Sequence, residues 1–418
     1  MGQYKDSGIE WIGKIPEHWE VTKLNMLYTQ RIEKVSDKDY PPLSVTMKGI
    51  LPQLENAAKT NNGDDRKLVR VGDFAINSRS DRRGSCGISA FDGSVSLINT
   101  ILKPRSKMNP RYYNWLFHSS LFSDEFYKWG HGIVDDLWTT RWQEMRNIAV
   151  PSPTLEVQQS IANYLDAKCG EIDSLIALQE QMIEKLKAYK QSVITEAVTK
   201  GLDPNAKLVP SGIDWIGEIP EAWSKDKVIR CFSKIGSGTT PKSTDDNLFQ
   251  GDINWLQSGD INGGDLFEAS KHISNETLSS YSALSVYQAP FIIIAMYGAS
   301  VGNISISHID ACVNQACCVM SGCKLDFNYA FFALKSAKPY LIYRAEGGGQ
   351  PNISQDKIKT LWIPIPPLTE QQAIASYLDE KCADIDRLIG LKQRKIEKLK
   401  DYKKSVIYEA VTGKTTIE

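Results

Sequence analysis

The chain says the same thing twice, and the spacing of that repeat limits its architecture more than any other feature. Residues 7–19 read SGIEWIGKIPEHW and residues 211–223 read SGIDWIGEIPEAW, an offset of 211 − 7 = 204. Residues 158–199 and 371–412 form a longer pair, QQSIANYLDAKCGEIDSLIALQEQMIEKLKAYKQSVITEAVT against QQAIASYLDEKCADIDRLIGLKQRKIEKLKDYKKSVIYEAVT, offset by 371 − 158 = 213. Two unlike stretches, 20–150 and 224–363, lie between these markers. Solenoids repeat every ~20–50 residues. A period four times longer describes a duplicated two-part unit with a built-in pseudo-twofold. DNA readers often set such a symmetry against a two-part site.

The longer repeat has the pattern of a helix. No proline occurs from Leu155 to Leu202, and Pro153 and Pro204 bracket the segment. Ile161, Leu165, Ile172, Ile176, Ile183, Leu186, Tyr189, Val193 and Ala197 form an apolar stripe. Ile374, Leu378, Ile385, Ile389, Ile396, Leu399, Tyr402, Val406 and Ala410 repeat it. Each helix is predicted to run about 60 Å at 1.5 Å per residue. One stripe cannot bury itself, so the two are expected to pack together as a coiled coil; packing of each helix on its own domain is the alternative.

The unlike stretches read as mixed α/β. Strands are predicted over Leu68–Ile76, Cys86–Phe91, Ser94–Leu102, Phe291–Met296, Val301–Ile306 and Ala311–Met320. Aromatic-rich helices are expected over Arg111–Trp129 and Asn328–Arg344. The two regions are expected to share a fold despite little shared sequence.

A length of 418 residues suits two to four domains, and 42% hydrophobic with 24% charged residues is globular composition. No run of about 18 apolar residues exists, so no membrane span or membrane partner is expected. The opening MGQYKDSGIEW lacks the apolar region of a signal peptide, which makes the cytoplasm the expected compartment. The eight cysteines include Cys312, Cys317, Cys318 and Cys323, whose spacing is not that of a zinc site, and buried free thiols are expected. Net charge is −1, yet residues 66–111 hold ten Lys/Arg against Asp73, Asp81 and Asp92, a local balance of 10 − 3 = +7. Phosphate binding depends on where cations sit, not on the total.

The repeated SGIxWIGxIPxxW opening, the helix starts PIPPLTEQQAIASYLDEK and SPTLEVQQSIANYLDAK, and GGGQPNISQDKIKTLWIPIPP at 347–367 together resemble the conserved regions of type I restriction-modification specificity subunits. IGSGTTPKS at 235–243, INWLQSGDI at 253–261 and IAMYGASVGNISI at 294–306 resemble recurring target-recognition segments; INSRSDRRGSCGIS at 76–89 stands as the first region's counterpart of the last. The resemblance implies an α+β protein: target-recognition domains at 1–152 and 206–366, separated by long helices within 153–205 and 367–418 that pair antiparallel. It also implies double-stranded DNA, methyltransferase subunits and restriction (motor) subunits as partners, with a bipartite site read on the DNA; the first region's departure from the second region's segments makes that site asymmetric. S-adenosylmethionine, ATP and Mg are then expected only on those partners, and no cofactor on this chain.

No catalytic set emerges from the residues. Gly413-Lys414-Thr415 lacks the upstream glycine of a P-loop, no GxGxxG follows a strand, and no Asn/Asp-Pro-Pro-aromatic motif is present. Asp166-Ala167-Lys168 and Asp379-Glu380-Lys381 read as helix-surface charge rather than nuclease ligands. Binding chemistry remains. Arg79, Arg82 and Arg83, with Asn77 and Ser80, occupy a Gly/Ser-punctuated loop suited to guanine or phosphate, and Lys103 and Arg105 extend the basic window. Ser237, Thr239, Thr240 and Lys242 offer short polar groups from a Gly-rich loop; Gln350 and Asn352 either offer amides suited to adenine or belong to a structural turn before the strand ending at Pro364; Tyr297 is placed to meet a base or to cap the core. Trp11, Trp19, Trp215 and Trp223 recur at equal spacing and are expected to anchor packing, whereas His18 is replaced by Ala222 in the repeat. The rival readings are an adaptor with a coiled-coil spacer and two protein-binding heads and, more remotely, a nuclease with a divergent site.

Overall fold

A computed structural model describes residues 3–53, 63–105, 107–132, 138–242, 245–345 and 352–417. It divides into two compact units: residues up to Gln181 together with those from Lys392 on, and Met182–Leu391. Each unit is one β-rich region joined to parts of both long helices.

In the first unit, strands Tyr28–Arg31, Asn99–Pro104, Phe74–Asn77 and Cys86–Ile88 lie side by side in that order, all antiparallel. In the second, Phe232–Gly236, Cys317–Cys323, Phe291–Ala295 and Ile304–Ser307 take the same order, and Asp265–Leu266 adds a parallel edge strand. A short sheet closes each region: Glu20–Lys23 pairs with Ala149–Ser152, and Ser224–Lys227 with Trp362–Ile365. Two unlike sequences thus carry one topology. The smaller sheets differ. Gly93–Val95 and Lys34–Val35 flank Arg66–Val69 antiparallel, whereas Ile253–Leu256 takes Ala311–Val313 as a parallel neighbour.

Several predicted strands are broken by turns. Leu68–Ile76 splits at Gly72, whose φ of 87° reverses the chain. Ser94–Leu102 divides into Gly93–Val95 and Asn99–Pro104, and Ala311–Met320 into Ala311–Val313 and Cys317–Cys323. The aromatic helices divide likewise. Ser119 caps Ser120–Lys128 after Pro110–Phe117, and Pro339 opens Lys338–Tyr343 after Phe327–Ser336.

The SGIxWIG markers form hairpins, Tyr4–Asp6 with Lys14–Pro16 and Leu208–Pro210 with Glu218–Pro220. Gly8, Gly13, Gly212 and Gly217 have φ between 66° and 71°, a conformation that favours glycine, which explains their recurrence. Trp11, Trp19 and Trp223 are buried; Trp215 is half-buried and its indole N–H donates to the Trp362 carbonyl. These tryptophans pack the hairpins rather than face outward.

The long helices are Leu155–Lys200 and Leu368–Val411. In the first unit Ile161, Leu165 and Cys169 share a core with Val406, Ile407, Ala410 and Val411. In the second, Val193, Ile194, Ala197 and Val198 share one with Ile374, Ala375, Leu378 and Cys382. The start of one helix meets the end of the other each time, so the pairing is antiparallel. Full burial of such a side chain contributes about 1.5–3 kcal/mol, well above the ~0–1 kcal/mol of an exposed ion pair; the buried part of the apolar stripe therefore sets the pairing, whereas its predicted members Tyr189 and Tyr402 are exposed. All eight cysteines are free, seven of them buried. Among the described residues no helix is long and apolar enough to cross a membrane, and no three His, Cys, Asp or Glu side chains gather to hold a metal ion.

Candidate nucleic-acid interface

Backbone hydrogen bonds align the variable loops of the two regions. Asn77 N–H donates to Ser85 O at 2.8 Å, as Ala295 N–H does to Asn303 O at 2.9 Å. Thr140 N–H donates to Ser78 O (2.9 Å), as Ile353 N–H does to Met296 O (2.8 Å), and single bridges join Arg79 to Thr139 and Tyr297 to Asn352. Residues 78–84 and 296–302 are therefore one loop built twice, ending at Gly84 (φ 72°) and Gly302 (φ 75°). Arg79 and Tyr297 hold the same position in it.

The arginine loop of the first region is organised by its neighbours. A short 3-10 turn, Ser80–Arg82, carries Arg82 outward with a 68% exposed side chain. Arg83 lies over the Tyr127 ring at 5.1 Å and meets Asp124 at 3.3 Å, and Arg79 meets Asp81 at 3.4 Å. Tyr127 donates its hydroxyl to Arg79 O at 3.0 Å; burial raises its pKa, so it stays a protonated donor. The loop and its surroundings line a cavity of about 590 Å³ formed by Ser80, Asp81, Arg83, Asp124, Tyr127, Lys128 and Trp138. Asp81 and Asp124 offset part of the arginine charge, so the net field is weaker than the sequence count implies.

Several sequence candidates take other positions. Asn77 is buried, and its side-chain oxygen accepts the Arg79 N–H, so it shapes the loop. Lys103, within the strand Asn99–Pro104, and Arg105, just after it, are exposed but lie toward the end away from the arginine loop, because Asn99 pairs with Asn77 while Leu102 pairs with Phe74. Arg66, counted in the basic window, is buried, with its guanidinium on Ser94 Oγ (2.8 Å) and Ser94 O (3.0 Å). Arg70 pairs with Asp92 at 2.7 Å. The +7 window is therefore not one continuous basic surface.

In the second region Ser237 spends its hydroxyl on Cys317 O (2.7 Å), and Thr239 O accepts the Trp255 indole N–H (3.2 Å); both hold their loop. Thr240 is half-buried, Lys242 exposed, and the Lys242 N–H donates to Tyr281 Oη at 3.1 Å. Tyr297 packs partly against the core, burial raising its pKa, and Asn352 stands exposed beside it. Gln350 lies outside the described residues. The structure thus brings Tyr297 and Asn352 together, as it does Arg79 and Arg83 around Tyr127. Sequence reasoning missed Tyr127, whose ring and hydroxyl both serve the arginine loop, and Gln315, whose side chain meets Thr240. An isolated polar pair, Asn314-Gln315, within an apolar run was the available signal for Gln315.

Residues 223–401 match a family described as the type I restriction modification DNA specificity domain. The chain is 25% identical to the putative type I restriction enzyme MjaX specificity subunit of Methanocaldococcus jannaschii, across 97% of this chain and 96% of the relative. It is 26% identical to the MjaVIII specificity subunit of the same organism, across 97% and 95%. A chain solved in work on complex assembly and conformational transition of the type I R-M system superposes with a TM-score of 0.71 at 16% identity, covering 96% of this chain and 99% of that one.

Proposed function

The chain belongs to the type I restriction-modification specificity subunits, and from that premise we propose that it reads a bipartite, asymmetric double-stranded DNA site, one half through each β-rich region. The observation that carries this reading is the single loop built twice, with Arg79 in one copy and Tyr297 in the other. One scaffold presenting different side chains is what a reader of two different half-sites requires. Arginine offers bidentate contact to guanine or phosphate; tyrosine offers one hydroxyl and an aromatic face.

The subunit's contribution is recognition. Methyltransferase and restriction (motor) subunits dock on it in the cytoplasm and supply the bond chemistry, with S-adenosylmethionine, ATP and Mg bound on those partners. Arg82 and Arg83 reach the phosphate backbone, and the more structured positions, Asn77, Ser237 and Thr239, hold the loops that touch the DNA. Exchanging residues 224–363 for the equivalent region of another family member, followed by methylation mapping, tests the assignment. One half-site should change and the other persist. A change in both, or in neither, would defeat it.

A further inference from the structure

Within residues 311–320 one side chain, Gln315, is exposed and every other is buried. It sits in the turn between Ala311–Val313 and Cys317–Cys323, which Cys317 N–H closes onto Asn314 O at 3.3 Å while Asn314 Oδ1 accepts the Ala316 N–H at 3.0 Å. Neither bond uses the Gln315 side chain, so the turn stands without it. Thr240 Oγ1 donates to Gln315 Oε1 at 2.5 Å. That bond fixes which way the amide points. It leaves one oxygen lone pair and two N–H donors for another group, the combination that matches N6–H and N7 of adenine in the major groove.

The first region builds the same turn. Asn99 N–H donates to Ser96 O at 3.0 Å, and Ser78 N–H to Ile98 O at 3.3 Å, matching Met296 N–H to Ala316 O at 2.8 Å. This register places Leu97 where the second region has Gln315. Leu97 and Ile98 are each 40% exposed, two large apolar side chains set outward beside the arginine loop. Apolar side chains of this kind match the thymine methyl group.

We propose that this turn is a base-reading element in both regions, with Gln315 reading an adenine in one half-site and Leu97 a thymine methyl in the other. The assignment rests on the DNA-recognition reading above. Thr240 is a positioning residue that orients the Gln315 amide.

The test uses the full chain assembled with its methyltransferase subunits, on a DNA library carrying every single-base variant of the mapped site. Gln315→Leu should lower discrimination at one adenine of one half-site by about fivefold or more, leaving every other position unchanged. Gln315→Glu should move the preference there toward cytosine, whose N4–H donor suits a carboxylate. Thr240→Val should relax the same base less strongly, and Leu97→Gln should relax a thymine in the other half-site. Unchanged base preferences in Gln315→Leu and Leu97→Gln would overturn the proposal while the DNA-recognition reading stands. Failure of the unaltered complex to methylate any defined sequence would overturn both, and that arm separates the two failures.

Discussion

Lys403 Nζ lies 2.7 Å from both carboxylate oxygens of Asp173, bridging the end of the second long helix to the first. The duplicated residues form the same bridge in the other compact unit, where Lys190 Nζ meets Asp386 Oδ2 at 2.5 Å. Both offsets are 213 (386 − 173 and 403 − 190). One helix sequence therefore serves as each partner in turn, the self-complementarity that the matching stripes require.

These ion pairs tune the register more than they stabilise it. Asp173 and Asp386 are more than half exposed, so a double-mutant cycle on Asp173 and Lys403 should return a coupling of about 0.2–1 kcal/mol that shrinks in 1 M salt. Urea unfolding of the two single variants and the double variant measures it; a coupling above that range would make the pair a main support of the helix pairing.

The core beneath the first region's sheet should be far less tolerant. Phe117 is buried, with its ring centroid 4.8 Å from Phe74 and 4.5 Å from Phe122. Phe117→Ala should cost about 3–5 kcal/mol, seen as a lower urea midpoint with loss of sequence-specific DNA binding. An unchanged midpoint would contradict the packing.

Arg82 and Arg83 are the outward cations of the arginine loop. Replacing both by alanine should weaken DNA binding and reduce the slope of log K against log salt by about 0.9 for each phosphate that is no longer neutralised. Fluorescence anisotropy over a salt series gives both quantities. An unaltered slope and affinity in a folded double variant would remove this loop from the interface.

Burial pushes the Cys312 thiol up to about 11 from its ordinary value of 9.0. A raised folded-state value means the thiol's contribution is complete below the unfolded-state pKa and is lost as pH climbs from about 9 toward 11. Cys312→Ala should therefore show a shallower alkaline fall in stability than the unaltered chain over that window, with parallel behaviour below pH 8. Urea midpoints at pH 7.5, 9 and 10.5 decide the matter.

The duplication, the two long helices and the packing role of Trp11, Trp19 and Trp223 were legible in the sequence by itself. Each rests on local periodicity or on a motif repeated at fixed spacing, and local signals survive without knowledge of distant neighbours. The correspondence of residues 76–89 with 294–306 was also visible in outline. The equivalence of Arg79 with Tyr297, and of Leu97 with Gln315, was decided by tertiary structure, because it rests on hydrogen bonds between strands far apart in the chain. So was the fate of the charges. Arg66 turns inward onto Ser94, Lys103 stands at the end of its strand away from the arginine loop, and Asp81 and Asp124 meet the arginines. A sequence counts charges, but only the fold sets the distances over which they act, and Coulomb energy depends on distance and burial.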